Sequence, residues 1–390
     1  MQAICELCRR DALDLVYEPE ASKRGLKVYE CAHCGLVQSL PRIDRAPRAP
    51  AAVSGGADWG NVRYGKAFRT QAALSILGRH ADISGELSLL DVGSNRGSFV
   101  RAFLEIAHAA QVVAVEPDER VADACAGIDR VELITGRIED LPIESGRFDI
   151  IHSCHTIEHL AEPARVLADH WRTLKPGGLL VLDAPNIAFL DGDDIVEEWF
   201  IDKHLYHFSA RTLMRMVEAA GFEIIAAPDI ADRENLLIVA RKSYTAHRAI
   251  DADPREVASS QRLIAQYGAT RARNLSALTF VSAEIAAMKP RRVAMWGAGR
   301  IFDSLVSHGR LAPSSLALLV DSHLKAFVSE RYGCPLAGPE DLGAAKPDVI
   351  VVMSRGFADE IAHEARRLAP GAEIILYTDL LTRARHKKAA

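Results

Sequence analysis

Several absences narrow what this sequence encodes. No apolar run approaches the length needed to cross a bilayer. The opening MQAICELCRR lacks the apolar core of a secretory signal. Both absences predict a soluble cytoplasmic protein with no membrane partner. A basic excess is also missing. Lys plus Arg number 47 against 52 Asp plus Glu, for a net charge of −5 and a pI near 6.3. Nucleic-acid binders usually carry a basic footprint, so no nucleic-acid partner is expected. No tandem repeat of short period occurs. Hydrophobic residues make up 49% of the chain and charged residues 25%, enough to build large cores. At 390 residues, two to three domains are expected.

Seven cysteines are present, and in a reducing compartment paired cysteines suggest metal rather than disulfides. Cys5-x-x-Cys8 and Cys31-x-x-Cys34 form two knuckles. Zinc favours a closed tetrahedral sulfur site, and a segment this short needs the folding free energy a metal supplies. Structural Zn2+ on Cys5, Cys8, Cys31 and Cys34 is therefore expected. A redox role is disfavoured, because neither knuckle sits at a strand-to-helix turn. The stretch PRIDRAPRAPAAVSGGADWG that follows is rich in Pro, Ala and Gly and reads as a linker. The expected divisions are 1–45 (zinc segment), 46–60 (linker), 61–245 (central α/β domain), 246–290 (helical connector) and 291–384 (smaller α/β domain).

In the central region the apolar runs LSLLDVG, QVVAVEP, VELITG, FDIIHSC and GGLLVLDAP alternate with helical stretches, which predicts a parallel sheet covered on both faces. FEIIAAPDI and NLLIVARK read as a closing antiparallel pair. In LLDVGSNRGSFV, Asp91 ends a buried strand. Gly93 and Gly97 permit a tight turn with close approach to a ligand, and the helix start offers free amides. The next strand ends in Glu116, where a carboxylate can accept both hydroxyls of a ribose. The loop in TGRIEDLP could flank an adenine.

Two histidine stretches follow. HTIEH (His155 to His159) is literally an H-x-x-E-H zinc motif. It directly follows a buried strand, and no third ligand stands at a suggestive spacing, so it is read as pocket lining rather than as a hydrolase centre. In EWFIDKHLYHFS, His204 and His207 occupy a polar–aromatic loop, with Ser209 as the candidate N-cap of the next helix. The acidic DGDDIVEEW before it reads as a solvated loop.

The ordered set LLDVGSNRGSF, VVAVEP, GRIEDLP, FDIIHSCHTIEHL and LKPGGLLVLDAPN resembles the class I S-adenosylmethionine-dependent methyltransferases over about residues 85–240. That resemblance implies that Asp91, Gly93 and Gly97 line the methionine and ribose of S-adenosylmethionine. It further implies that Glu116 takes the ribose hydroxyls, that Arg137 and Ile138 lie beside the adenine, and that Cys154 and His155 face the methyl-bearing end. With KVYECAHCGLVQSL, KHLYHFS and the late MWGAGR, the chain is similar to the zinc-containing deoxysugar C-methyltransferases, which methylate C3 of nucleotide-linked 4-keto sugars. The resemblance implies a small-molecule acceptor of that class, with His204 as base and His159 as the second candidate. Two departures stand out. Lys203 replaces the family's Glu, and WGNVRYGKAF replaces a Tyr- and Ser-rich segment; they leave C- and O-methylation both open. The expected fold is α/β, comprising an N-terminal four-cysteine zinc segment, a central Rossmann-like class I methyltransferase domain and a smaller C-terminal Rossmann-like domain.

In the C-terminal block, Gly297-x-Gly299 follows a strand and Asp321 ends the next one. The third glycine of a dinucleotide site is missing. Packing, or holding a substrate nucleotide, is the expected role. An RNA-modifying methyltransferase is opposed by the acidic pI, and a non-catalytic binding protein by the presence of Asp91 and Glu116.

Overall fold

The computed structural model describes residues 4–20, 22–42, 67–119, 123–244, 249–326 and 328–389. The expected linker, 46–60, and most of WGNVRYGKAF lie outside them. The chain forms two compact units. The first gathers Met1–Ala46, Gly65–Asp191 and Phe200–Ala265; the second gathers Pro47–Tyr64, Gly192–Trp199 and Gln266–Ala390.

In the first unit the cysteine-bearing segment contributes β1 (Leu13–Tyr17), β2 (Lys27–Cys31) and β3 (Val37–Leu40). The central sheet contains β4 (Ser88–Val92), β5 (Gln111–Glu116), β6 (Val131–Thr135), β7 (Phe148–Cys154) and β8 (Leu174–Pro185). A short β9 (Tyr206–His207) precedes β10 (Phe222–Ala226) and β11 (Asn235–Lys242). Among the described residues the central order is β10-β11-β8-β7-β4-β5-β6. β4 to β8 pair in parallel, while β11 runs antiparallel to both β8 and β10. The near-continuous apolar runs follow from burial on both faces: Leu90 and Ile151 pack on one side, Leu89 and Ile150 on the other. Helices α1 (Ala67–Leu77), α2 (Ser98–Ile106), α3 (Pro163–Thr173) and α4 (Ala210–Ala219) belong to this unit. Ser209 caps α4 as expected. Its hydroxyl accepts from the Thr212 amide at 3.1 Å, and the Thr212 hydroxyl accepts from the Ser209 amide at 3.0 Å. β4 is the point where the connections reverse direction, and ligands of open α/β sheets bind outside the carboxyl ends of strands at such a point.

The cysteine segment does not pack as an independent body. β3 pairs with β9 (Val37 opposite His207, Gln38 opposite Tyr206), and Cys5, Cys31, Cys34 and Leu36 share one apolar core with Leu90, Leu205 and Phe208.

A 34-residue helix, α5 (Pro254–Ala287), carries the chain from the first unit into the second. The second unit holds β12 (Val293–Trp296), β13 (Leu318–Val320), β14 (Glu330–Arg331), β15 (Cys334–Ala337), β16 (Val349–Val352) and β17 (Glu373–Leu376). Their order is β14-β15-β13-β12-β16-β17, parallel except for β14. Helix α6 (Arg300–Ser307) follows the Gly297-x-Gly299 turn.

The acidic stretch is not a solvated loop. Gly192–Trp199 belongs to the second unit, with Ile195, Val196 and Glu197 buried. Arg355 ion-pairs with both Asp194 and Glu197, Arg271 with Glu198, and the Asn274 amide donates to the carbonyls of Asp193 and Ile195. Charge patterning alone pointed to solvent because these bases come from remote parts of the chain.

Candidate active site

The turn after β4 is built as its glycines require. Gly93 and Gly97 both have φ of 71°, in the left-handed region. A Cβ on Gly93 would lie 2.3 Å from Thr156 Oγ1, and one on Gly97 would lie 2.6 Å from Cys125 Sγ. The amides of Gly93 and Ser94 donate to the Val115 carbonyl, which ties the turn to β5.

Three buried carboxylates lie toward the carboxyl ends of β4, β5 and β8, with β7 between β8 and β4. Asp91 accepts from His152 Nδ1 at 2.6 Å, and that imidazole stacks on Phe99 at 3.5 Å between ring centroids. Asp91 Oδ2 has no hydrogen-bond partner among the described residues. Glu116 is only 3% exposed. Its Oε2 accepts from the Asn95 amide at 2.8 Å and its Oε1 from the Asp118 amide at 2.9 Å. Each oxygen keeps further acceptor capacity, since an ionised carboxylate offers about four lone-pair sites. Asp183, on β8, ion-pairs with the buried Arg69 of α1. Burial pushes its carboxyl above the usual range while Arg69 pulls the other way.

Arg137 and Ile138 open the loop after β6, and the Gly136 amide donates to the Glu116 carbonyl at 3.1 Å. Cys154 ends β7, with its thiol 3.7 Å from Asp183 Oδ2. His155 has φ of 49°, unusual for a non-glycine residue. Its Nε2 lies 3.1 Å from Asn235 Oδ1, and its amide donates to the Asp183 carbonyl.

The two histidine stretches form one cluster. Ile157–His159 is a single 3-10 turn following β7. The Leu205 amide donates to the Glu158 carbonyl at 2.7 Å, and His159 Nδ1–H donates to the Lys203 carbonyl at 2.8 Å. These bonds hold the His204 loop against the turn. The His159 and His204 rings stand 4.8 Å apart at 58°. His207 is separate from this group. It is buried, with Nε2 2.8 Å from Ser39 Oγ, and burial pushes it down to about 3.

At the cysteine centre the Cys5 and Cys34 sulfurs are 3.5 Å apart, as are those of Cys8 and Cys31, and all four lie within 4.8 Å of one another. No pair is disulfide-bonded. Four sulfurs about 2.3 Å from one zinc ion would be separated by about 3.8 Å, so the donor set fits a tetrahedral thiolate centre. Hydrogen bonds from Cys34, Cys5 and Cys8 hold the Cys31 thiol below its ordinary range, while the bond to Cys31 pushes Cys5 up.

Sequence reasoning missed Arg69, His152, Asp183 and Asn235, and weighed Glu158 only as the acid of the H-x-x-E-H motif. Asp183 was within reach, since the acid in LLVLDAP stands at the same strand edge as Asp91. Arg69, by contrast, has no local signal.

Among the described residues, no helix is long and apolar enough to cross a membrane. Residues 61–227 match a methyltransferase domain family. The chain is 33% identical over 206 residues to a probable S-adenosylmethionine-dependent methyltransferase of Mycobacterium tuberculosis, covering 50% of this chain and 72% of that protein. A second such protein, from Mycolicibacterium smegmatis, is 30% identical over 138 residues, covering 35% of this chain. The chain spans only 52% of that relative's length. The crystal structure of an S-adenosylmethionine-dependent methyltransferase from Mesorhizobium loti aligns with 44% of this chain and 97% of its own, at 20% identity and a TM-score of 0.37. With its glycine turn at the topological switch and a buried acid at the end of the next strand, the chain belongs to the S-adenosylmethionine-dependent methyltransferases.

Proposed function

We propose that this protein transfers a methyl group from S-adenosylmethionine to a small polar acceptor, a nucleotide-linked deoxysugar. The observation that carries the cofactor assignment is Glu116, a buried carboxylate oriented by two backbone amides beside a glycine turn. In this reading Glu116 accepts the ribose hydroxyls and Asp91, with Gly93 and Gly97, lines the methionine and ribose. Arg137 and Ile138 flank the adenine, and Cys154 and His155 face the methyl-bearing end. The cofactor supplies an electrophilic methyl on a sulfonium. The protein's part is to align the acceptor, exclude water and take up the acceptor's proton. His204 takes that proton from the carbon beside a keto group, with His159 as the second candidate, and Lys203 stabilises the anion that remains. The cationic Lys203, in place of an acid, also favours a second reading in which the proton leaves a hydroxyl and the product is an ether. Zn2+ on Cys5, Cys8, Cys31 and Cys34 is structural, and elemental analysis should find it.

Mass spectrometry of reactions with a panel of nucleotide sugars tests the acceptor. The expected product carries one added methyl on carbon, with solvent-deuterium exchange at that carbon. An ether product would select the second reading. Methylation of other small acceptors and of no nucleotide sugar would remove the sugar assignment.

A further inference from the structure

We propose that Glu158, His159 and His204 form a second metal site, one for a borderline divalent cation such as Co2+ or Zn2+. One ligand atom from each lies within 4.8 Å of the others. The carbonyl of Lys203 can only accept, so His159 carries its proton on Nδ1. In the neutral ring this leaves the Nε2 lone pair facing Glu158 Oε1 at 3.5 Å. That separation is long for a hydrogen bond. It matches two ligands of one ion, since bonds of about 2.1 Å in a tetrahedral site put ligand atoms about 3.4 Å apart. Metal-bound histidines typically donate their other N–H to a carbonyl or carboxylate, the arrangement seen at His159.

The site is also held in place before any ion arrives. The Leu205 amide on the Glu158 carbonyl and the His204 amide on the Ile201 carbonyl fix both segments. Two imidazoles and one carboxylate suit the borderline transition metals better than Mg2+ or Ca2+. The sequence motif H-x-x-E-H is therefore only partly used. His155 faces Asn235, and the third ligand comes from the loop whose Lys203 carbonyl, 44 positions beyond His159, accepts the His159 Nδ1–H hydrogen bond.

The consequence for chemistry rests on the methyl-transfer reading. With an ion bound, His204 is a ligand, and without one it can take the acceptor's proton, so metal binding and base catalysis at His204 are alternatives.

Cobalt titration of the full chain, with the cysteine centre left filled by zinc, tests the site. One further Co2+ per chain should bind, with visible absorption lacking a thiolate charge-transfer band. Glu158→Gln and His204→Ala should each weaken it about 100-fold. The exposed His108→Ala should leave it unchanged. Circular dichroism and thermal melting would show that each variant is folded. No Co2+ beyond the cysteine centre, or equal binding in folded Glu158→Gln, would overturn the proposal and leave a Glu158–imidazolium pair. The titration needs no acceptor, so its failure leaves methyl transfer standing. Intact cobalt binding without methylation of any acceptor would remove the methyl-transfer reading alone.

Discussion

The two glycine turns, one in each unit, solve the same local problem. The amides of Gly93 and Gly297 donate to Val115 and Val320 on the neighbouring strands. The acid after each of those residues then takes a turn amide: Asn95 to Glu116 at 2.8 Å, Ala298 to Asp321 at 3.1 Å. The surroundings differ. A Cβ on Gly93 would meet the side chain of Thr156, whereas one on Gly297 would meet the backbone carbonyl of Met353 at 2.9 Å. Asp91 stands two positions before Gly93, and the residue two before Gly297 is Met295. Asp321 also accepts from the amides of His323 and Leu324. A glycine paired with an acid thus joins strand to strand in both units. Ligand chemistry needs further acids and histidines, which among the described residues gather at the first.

Acid should separate the units most. The buried histidines among the described residues, His152, His170 and His207, lie in the first unit, while His308, His323, His363 and His386 of the second are exposed. Burial pushes His207 down from 6.5 to about 3 and His170 to about 4. Both are neutral in the fold and take up a proton near pH 6.5 once unfolded. Stability of the first unit should therefore be full above about pH 6.5 and fall as pH drops toward 4 and then 3, by several kcal/mol, on the order of 1.4 kcal/mol per pH unit for each group. Urea melts at stepped pH, read by hydrogen exchange in each unit, would measure this. Equal acid loss in both units would break the contrast.

The next effect is catalytic. His204→Ala should lower turnover by about 10²–10⁴-fold while cofactor affinity stays nearly unchanged. Steady-state kinetics beside calorimetry would test this, and near-wild-type turnover would move the base to His159.

Smaller effects should come from the paired acids. Glu116→Ala should cost about 1–3 kcal/mol of S-adenosylmethionine binding by calorimetry. Asp321→Ala should leave that binding intact and instead cost the second unit about 1–3 kcal/mol of stability, because three backbone amides lose their acceptor. The reverse result would assign the cofactor to the wrong turn.

The smallest effect should come from backbone strain. Gly297→Ala should destabilise the second unit by roughly 1–2 kcal/mol, since Gly297 has φ of 116°. Gly93→Ala should weaken cofactor binding as well as stability. Thermal unfolding with and without S-adenosylmethionine would separate the two, and a binding loss confined to Gly297→Ala would invert the comparison.

Much of the fold was legible because its signals are local. Burial on both faces makes continuous apolar strands, the glycines mark the turns, and Ser209 caps its helix. Two cysteine knuckles, each closed within four residues, announce their centre in the same way. The acidic stretch misled because its partners Arg271 and Arg355 are remote in sequence.

By itself, the sequence determined the central strands β4 to β8 with β10 and β11, the glycine turns of both units, the edge positions of Asp91 and Glu116, and the clustering of four thiols, but not the strands of the cysteine segment, β9, β14 or β15. Each of these depends on residues a few positions apart, where the periods of helix and strand dictate geometry. Only the tertiary structure decided that His207 is buried against Ser39 while His204, three residues earlier, meets His159 and Glu158. It alone joined Asp183 to Arg69, and β3 to the strand following His204. Sheet order sets those contacts, through pairings between distant strands that no local period encodes.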